Sequence, residues 1–279
     1  IHNAVLQNMT IRATATSNLI GLVTSGNADG IDLDFEGMTS GNKTHFTAFV
    51  TNLAARLRAV RPGALVTLAC PAVDWGGVID RAALADTVDF FFIMGYDYHW
   101  SSGNPGAVSP LAGGSINLTK SVDYYNDGKI PSHKVIAGLP WYGIDWPSTS
   151  GEIGAAKLAN GSSILYNATI NYGHTWDSTS STPWKAYQVD GVWHQRWFEN
   201  WRSIEKKIQM IKGKGIGGMG MWALGYDGAA SDLWPVIDKY FNNDHAAPAG
   251  SLANPFLVTT FPYSASETTL GAEKAFDYY

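Results

Sequence analysis

Cysteine is almost absent from this chain. Cys70 is the single one in 279 residues, which excludes an internal disulfide framework and a thiolate-rich zinc site, so this thiol is expected to pack as a small apolar side chain. Charge is scarce too: Asp, Glu, Lys and Arg make up 15% of the residues, and the formal net charge is -5. No block of Lys and Arg stands out, so the basic footprint of a nucleic-acid binder is missing. A run of about eighteen apolar residues, the mark of a membrane-spanning helix, does not occur. Ile1 to Thr10 lacks the charged head and apolar stretch of a signal peptide. The histidines show no ligand spacing, so neither metal nor cofactor is expected. These absences lead to the expectation of a globular monomer with no nucleic-acid or membrane partner.

What is present suits a large core. Hydrophobic residues reach 45%, with eleven Trp among them, a balance that belongs to folded chains. The few lysines and the many Ser, Thr, Asn and Gly give an extracellular look, so a secreted location is expected. Asn-x-Ser/Thr triplets begin at Asn8, Asn42, Asn117, Asn160 and Asn167, but triplets this short also occur by chance.

Strand-like runs alternate with helix-like runs, the pattern of parallel strands joined by crossover helices, so the class is α/β. Strands are expected at Gly30–Glu36, Leu65–Cys70, Val88–Tyr96, Lys134–Leu139 and Gly218–Ala223. A helix over Lys43–Val60 follows from Phe46, Phe49, Val50, Leu53 and Leu57 at helical spacing, and Arg61-Pro62-Gly63 stops it. Further helices are expected near Asp80–Ala85, Ser115–Asp127 and Ala230–Phe241. From about 141 to 193 the rhythm breaks into Gly, Ser, Thr and aromatic residues, which predicts an inserted β-rich lobe on the loop after the Lys134 strand. Residues 242–255 form a linker rich in Ala, Pro, Gly and Asn, and 256–279 begin a further module or tail. A closed β/α barrel has eight strands, whereas five are readable over 1–241. The expectation is a partial (β/α)8 TIM barrel without its first three β/α units.

The sharpest motif is Asp29-Gly30-Ile31-Asp32-Leu33-Asp34-Phe35-Glu36. Side chains alternate along a strand, so Asp32, Asp34 and Glu36 face one way, and Ile31, Leu33 and Phe35 the other. The apolar set can pack on helices, leaving three carboxyl groups in a row on the barrel interior. Like charges held side by side raise one another's pKa, which keeps one carboxyl protonated and fit to act as a general acid. Two other readings of the row stay open at this point: acids on a solvated edge strand, and a hard-metal site for calcium or magnesium.

With its pattern DGxDxDxE, this segment resembles the fourth barrel strand of the family 18 glycoside hydrolases, which include chitinases and endo-β-N-acetylglucosaminidases. Met94-Gly95-Tyr96-Asp97 is similar to the family's sixth-strand MxYD, Leu139-Pro140-Trp141-Tyr142-Gly143 to its seventh-strand end, and Met221-Trp222-Ala223-Leu224 to its eighth-strand tryptophan. The resemblance covers about residues 15 to 241. The family's first three strands, with their Ser-x-Gly-Gly segment, find no counterpart, so the readable strands correspond to the fourth through eighth, with the lobe between the seventh and eighth.

The resemblance implies substrate-assisted, retaining hydrolysis of chains containing N-acetylglucosamine, an exception to the usual two-carboxylate scheme. Glu36 would protonate the glycosidic oxygen while the substrate's N-acetyl oxygen attacks the anomeric carbon. Asp34 would hold the acetamido N–H, with Asp32 sharing a proton below it. Tyr96 would hydrogen-bond the acetamido group, Asp97 and Met94 would help position the sugar, and Trp222 would form the floor beneath it. Trp141 and Tyr142 either line the cleft or anchor the lobe; His99, Trp100, Asp74 and Trp75 stand on loops with no assigned role. The activity belongs to the intact barrel, since open strand edges beside Gly30–Glu36 would remove one wall. The competing function is a sugar-binding barrel without turnover. Gly213-Lys214-Gly215-Ile216-Gly217-Gly218 fits GxGxxG as a string, but it closes a helix and opens a strand, so it is a turn and not a dinucleotide site.

Overall fold

The computed structural model of the chain describes residues 2–169, 173–230 and 232–241. The linker and tail expected over 242–279 lie outside the described residues. The chain divides into two compact units, one of Ile1–Tyr96, Gly114–Gly138 and Ile211–Gly220, the other of Asp97–Gly113, Leu139–Met210 and Met221 onward.

The first unit opens with helices α1 (His2–Leu6) and α2 (Met9–Ser25). Asn8 caps α2: its side-chain oxygen accepts from the N–H groups of Thr10 (3.0 Å) and Ile11 (3.1 Å), satisfying two donors that lack a partner within the helix. Next come β1 (Gly30–Leu33), α3 (Lys43–Val60), β2 (Leu65–Pro71), α4 (Arg81–Leu84), β3 (Phe90–Met94), α5 (Leu118–Tyr125) and β4 (Val135–Pro140). Strands β1 to β4 pair in parallel, each with the next. Helix α3 falls where its periodicity predicts and buries Phe46, Phe49, Val50, Leu53, Ala54 and Leu57, each such side chain contributing about 1.5–3 kcal/mol for the larger members. The Arg61 N–H closes on the Leu57 carbonyl at 2.8 Å, and Gly63 at φ 82° carries the chain out of the helix.

In the second unit, β5 (Tyr142–Ser148), β6 (Ser162–Leu165), β7 (Thr175–Asp177), β8 (Thr182–Val189) and β9 (Val192–Trp197) form an antiparallel sheet in the order β6-β5-β9-β8-β7. Trp184 and Trp197, directly opposite in the ladder, stack with centroids 5.1 Å apart. After it come α6 (Trp201–Lys214), β10 (Gly218–Trp222) and α7 (Leu233–Phe241). Strand β10 lies next to β4 in the five-stranded sheet, whose order is β1-β2-β3-β4-β10.

One expectation changes. The first strand ends at Leu33 and not at Glu36, so Asp34, Phe35 and Glu36 run on past the ladder. Among the described residues the five-stranded sheet has two ends, β1 and β10, so the carboxylate row lies on an open sheet. Two of the Asn-x-Ser/Thr asparagines, Asn8 and Asn117, cap α2 and α5. Asn42 is buried, its amide donating to Asn3 at 2.8 Å.

Candidate functional site

The first unit carries the acid row. Gly30, which opens β1, has no room for a side chain: a Cβ there would overlap the Leu65 carbonyl of β2. That close approach aligns Asp32 with Thr67 and Thr67 with Phe90. The Thr67 hydroxyl donates to Asp32 Oδ1 at 2.5 Å, which fixes Asp32 on the sheet face turned away from α3. Leu33 is buried, and the Phe35 ring lies 5.4 Å from Phe46 and 5.6 Å from Phe49 of α3. Phe35 therefore keeps the strand's alternation beyond its last ladder pair, and the same alternation puts Asp34 and Glu36 on Asp32's face. All three acids are exposed.

Met94, which ends β3, pairs with Pro71 of β2. Tyr96 follows two residues later and is half-buried. Phe92 fills the same sheet face, and it fits because Gly138 and Gly220 flank it: a Cβ on either would overlap its ring. Neither Thr67 nor this glycine pair was singled out by sequence, although Thr67 sits at the polar beat of an otherwise apolar strand.

The Asp34 carboxyl lies above the usual carboxylate range, first because of desolvation and then because of the Asp32 charge. A groove of about 350 Å³ runs along this segment, lined by Val5, Asn18, Leu19, Ile31, Leu33 and Asp34 among others. An acid whose pKa is higher folded than unfolded binds its proton better in the native state. Stability is then greatest below the unfolded value of about 3.9 and declines as pH rises through the raised folded value. Asp34→Asn removes that penalty. Its thermal midpoint should exceed the parent's at about pH 7 and match it near pH 3; a difference independent of pH would contradict the assignment.

The second unit holds Asp97, Tyr142, Trp141 and Trp222. Asp97 has φ 56°, a left-handed conformation uncommon for a residue with a side chain. Its carboxyl accepts from the Tyr142 hydroxyl at 2.5 Å. Desolvation raises the Asp97 pKa, and this hydrogen bond opposes the rise. Trp222 ends β10 and is 45% exposed, leaving a broad indole face for a ligand. Trp141 does not line a surface: it is fully buried, edge-on to Trp234 with centroids 5.4 Å apart. Tyr142 is 8% exposed, so only its hydroxyl, aimed at Asp97, bears on a site.

Among the described residues no group of three or more His, Cys, Asp or Glu is placed to hold a metal ion. The first unit offers a carboxyl row; the second offers a hydrogen-bonded Asp–Tyr pair and an exposed indole.

The chain is 27% identical over 230 residues to the cortical fragment-lytic enzyme of Bacillus anthracis, covering 80% of this chain and 52% of that protein. It is 29% identical over 248 residues to di-N-acetylchitobiase of Rattus norvegicus, covering 77% of this chain and 65% of that one. The crystal structure of the Bacillus megaterium spore cortex-lytic enzyme SleL superposes with a TM-score of 0.71 at 26% identity, over 86% of this chain and 55% of that chain. The chain thus spans about half the length of the first of these relatives. The model of the glycosyl hydrolases family 18 matches residues 2–227, and the chain belongs to that family.

Proposed function

We propose that this chain carries the catalytic acid of a glycoside hydrolase that cleaves β-1,4 bonds in N-acetylglucosamine-containing glycans by substrate-assisted retention, outside the cell. The observation that carries the reading is the row Asp32, Asp34 and Glu36 on one sheet face, with the Asp34 carboxyl raised first by desolvation and then by the Asp32 charge. Names among the relatives, for lysis of spore cortex and of its fragments and for a chitobiase, support a glycan substrate and agree with either a cell-wall strand or a chitin-like chain.

In this mechanism Glu36 gives its proton to the glycosidic oxygen as the bond to the anomeric carbon breaks. The substrate's acetamido oxygen takes the opened position, forming an oxazolinium ion. Asp34 accepts the acetamido N–H and faces the positive charge that develops there. A proton shared between Asp34 and Asp32 eases two like charges in close proximity, and the Thr67 hydroxyl holds Asp32 for that exchange. Glu36, now a carboxylate, draws a proton from the water that opens the oxazolinium ring, so the configuration at the anomeric carbon is retained. Tyr96 bonds the acetamido group, Asp97 and Met94 position the sugar, and Trp222 stacks beneath it. A binding barrel without turnover is disfavoured because Glu36, Asp34, Asp32 and Tyr96 are all present.

The test is to compare oligomers of N-acetylglucosamine with the same oligomers de-acetylated to glucosamine, using the complete protein. The acetylated chains are cleaved and the de-acetylated ones resist, because the nucleophile has been removed from the substrate. Equal cleavage of both would sink the acetamido route.

A further inference from the structure

Among the described residues Trp75 is the most exposed large apolar side chain, at 81%, and neither the mechanism nor the fold uses it. Indole is costly to leave in water: full exposure forgoes the roughly 1.5–3 kcal/mol that burial of a large apolar side chain provides. Such exposure on a floppy loop would carry no message, but this loop is braced. The Trp75 N–H donates to the Val73 carbonyl at 2.9 Å, and the Gly77 N–H to the Asp74 carbonyl at 3.1 Å. The two Asp74 carboxylate oxygens accept from the N–H groups of Val78 (3.0 Å) and Ile79 (3.1 Å). Val78 and Ile79 are themselves buried. The indole is therefore held out from a fixed bracket.

The bracket also sits beside the acid. It follows β2, the strand that pairs in parallel with β1, so the loops after both strands emerge at the same edge of the sheet. Those loops touch: a Cβ at Gly76 would lie 3.0 Å from the Met38 carbonyl and 3.8 Å from the Ser40 N–H. Met38 is two residues past Glu36. An exposed aromatic face fixed next to the loop that carries the acid is suited to the apolar face of a pyranose ring, which stacks on indole through its C–H groups.

Resting on the hydrolase reading above, we propose that Trp75 is a stacking platform for a sugar unit remote from the cleaved bond, and so sets a preference for long glycan chains. It is a specificity-determining residue and takes no part in bond breaking. Remote contacts of this kind add binding that only a chain long enough to reach them can use.

The experiment measures binding of the N-acetylglucosamine hexamer and dimer by titration calorimetry. It uses Glu36→Gln protein, in which the chains stay intact, with and without Trp75→Ala. The hexamer should bind about tenfold more weakly to Trp75→Ala, the loss of a single aromatic contact, while the dimer binds as before. Trp75→Tyr should restore most of the difference, and the thermal midpoint should not move, since the side chain is solvent-exposed. Unchanged hexamer affinity, or an equal loss for hexamer and dimer, would overturn the proposal. Turnover by the parent protein is scored separately, so failure to hydrolyse tells against the hydrolase reading while the binding result still decides the role of Trp75.

Discussion

Glu36→Gln should lower the turnover of N-acetylglucosamine oligomers by about 10²–10⁴-fold, the usual worth of a positioned general acid or base, with little change in oligomer affinity. Gln keeps the size and the hydrogen-bonding shape of Glu but has no proton to give and no charge with which to take one back. Both halves of the proposed reaction fail for that reason, the leaving step and the water step. The fold should be unaffected: Glu36 is exposed and lies beyond the last ladder pair of β1. Intact binding with lost turnover is the signature expected, because the interaction removed is one made only in the transition state.

The second large effect is on stability and concerns a pair far from any substrate argument. Lys207 of α6 is fully buried, with its ammonium 2.5 Å from Glu199, whose side chain is 1% exposed. Burial pushes the Glu199 pKa up and the Lys207 pKa down, each against the pull of its partner. Neither charge tolerates the loss of the other there. Lys207→Met should cost roughly 3–5 kcal/mol, because it leaves an uncompensated carboxylate in the interior. At about 2–4 °C per kcal/mol the midpoint falls by roughly 10 °C. The double variant Glu199→Leu/Lys207→Met removes both charges and should recover most of that loss. A double-mutant cycle in calorimetric unfolding checks it: additive single effects would mean that the two side chains do not act as a pair.

Sequence made the first unit legible where one face of an element is apolar and the other polar. Helix α3 was readable to the residue, since Phe46, Phe49, Val50, Leu53 and Leu57 repeat at the helical period and all five are buried. The motif strand was readable in its alternation but not in its length. Strand β1 ends the sheet, so pairing on one side alone decides where the ladder stops, and that is a property of β2's register. Helix α2 went unread because its Ile, Leu and Val residues are spread around the axis among Thr and Ser, and only Thr16 and Val23 are buried. Helix α6 could be read only from its end at the Gly-rich turn. Its buried Lys207 runs against the rule that lysine stays outside unless paired, and the partner, Glu199, precedes the helix with no spacing that announces it.

At the candidate site, residue types were legible and burial was not. Glu36, Asp34, Asp32, Tyr96 and Asp97 stand out as a motif in the string. Whether Trp141 meets a ligand or the core depends on Trp234, more than ninety residues later in the chain. Tyr142 similarly shows its purpose only through its hydrogen bond to Asp97. The Asn-x-Ser/Thr triplets carried little weight, and two of them have a local explanation: Asn is favoured at helix N-caps, where its short side chain reaches the free N–H groups, and Asn8 and Asn117 are used in that way.

The central claim is that Glu36 supplies the proton to the departing oxygen, and leaving-group dependence tests it most directly. Kcat/KM is measured for parent and Glu36→Gln on an N-acetylglucosamine oligomer and on a nitrophenyl glycoside of the N-acetylglucosamine dimer. Nitrophenolate departs without a proton, so the variant should lose about 10²–10⁴-fold on the oligomer and far less on the nitrophenyl substrate. Equal losses on both, or no loss on the oligomer, would show that Glu36 is not the acid.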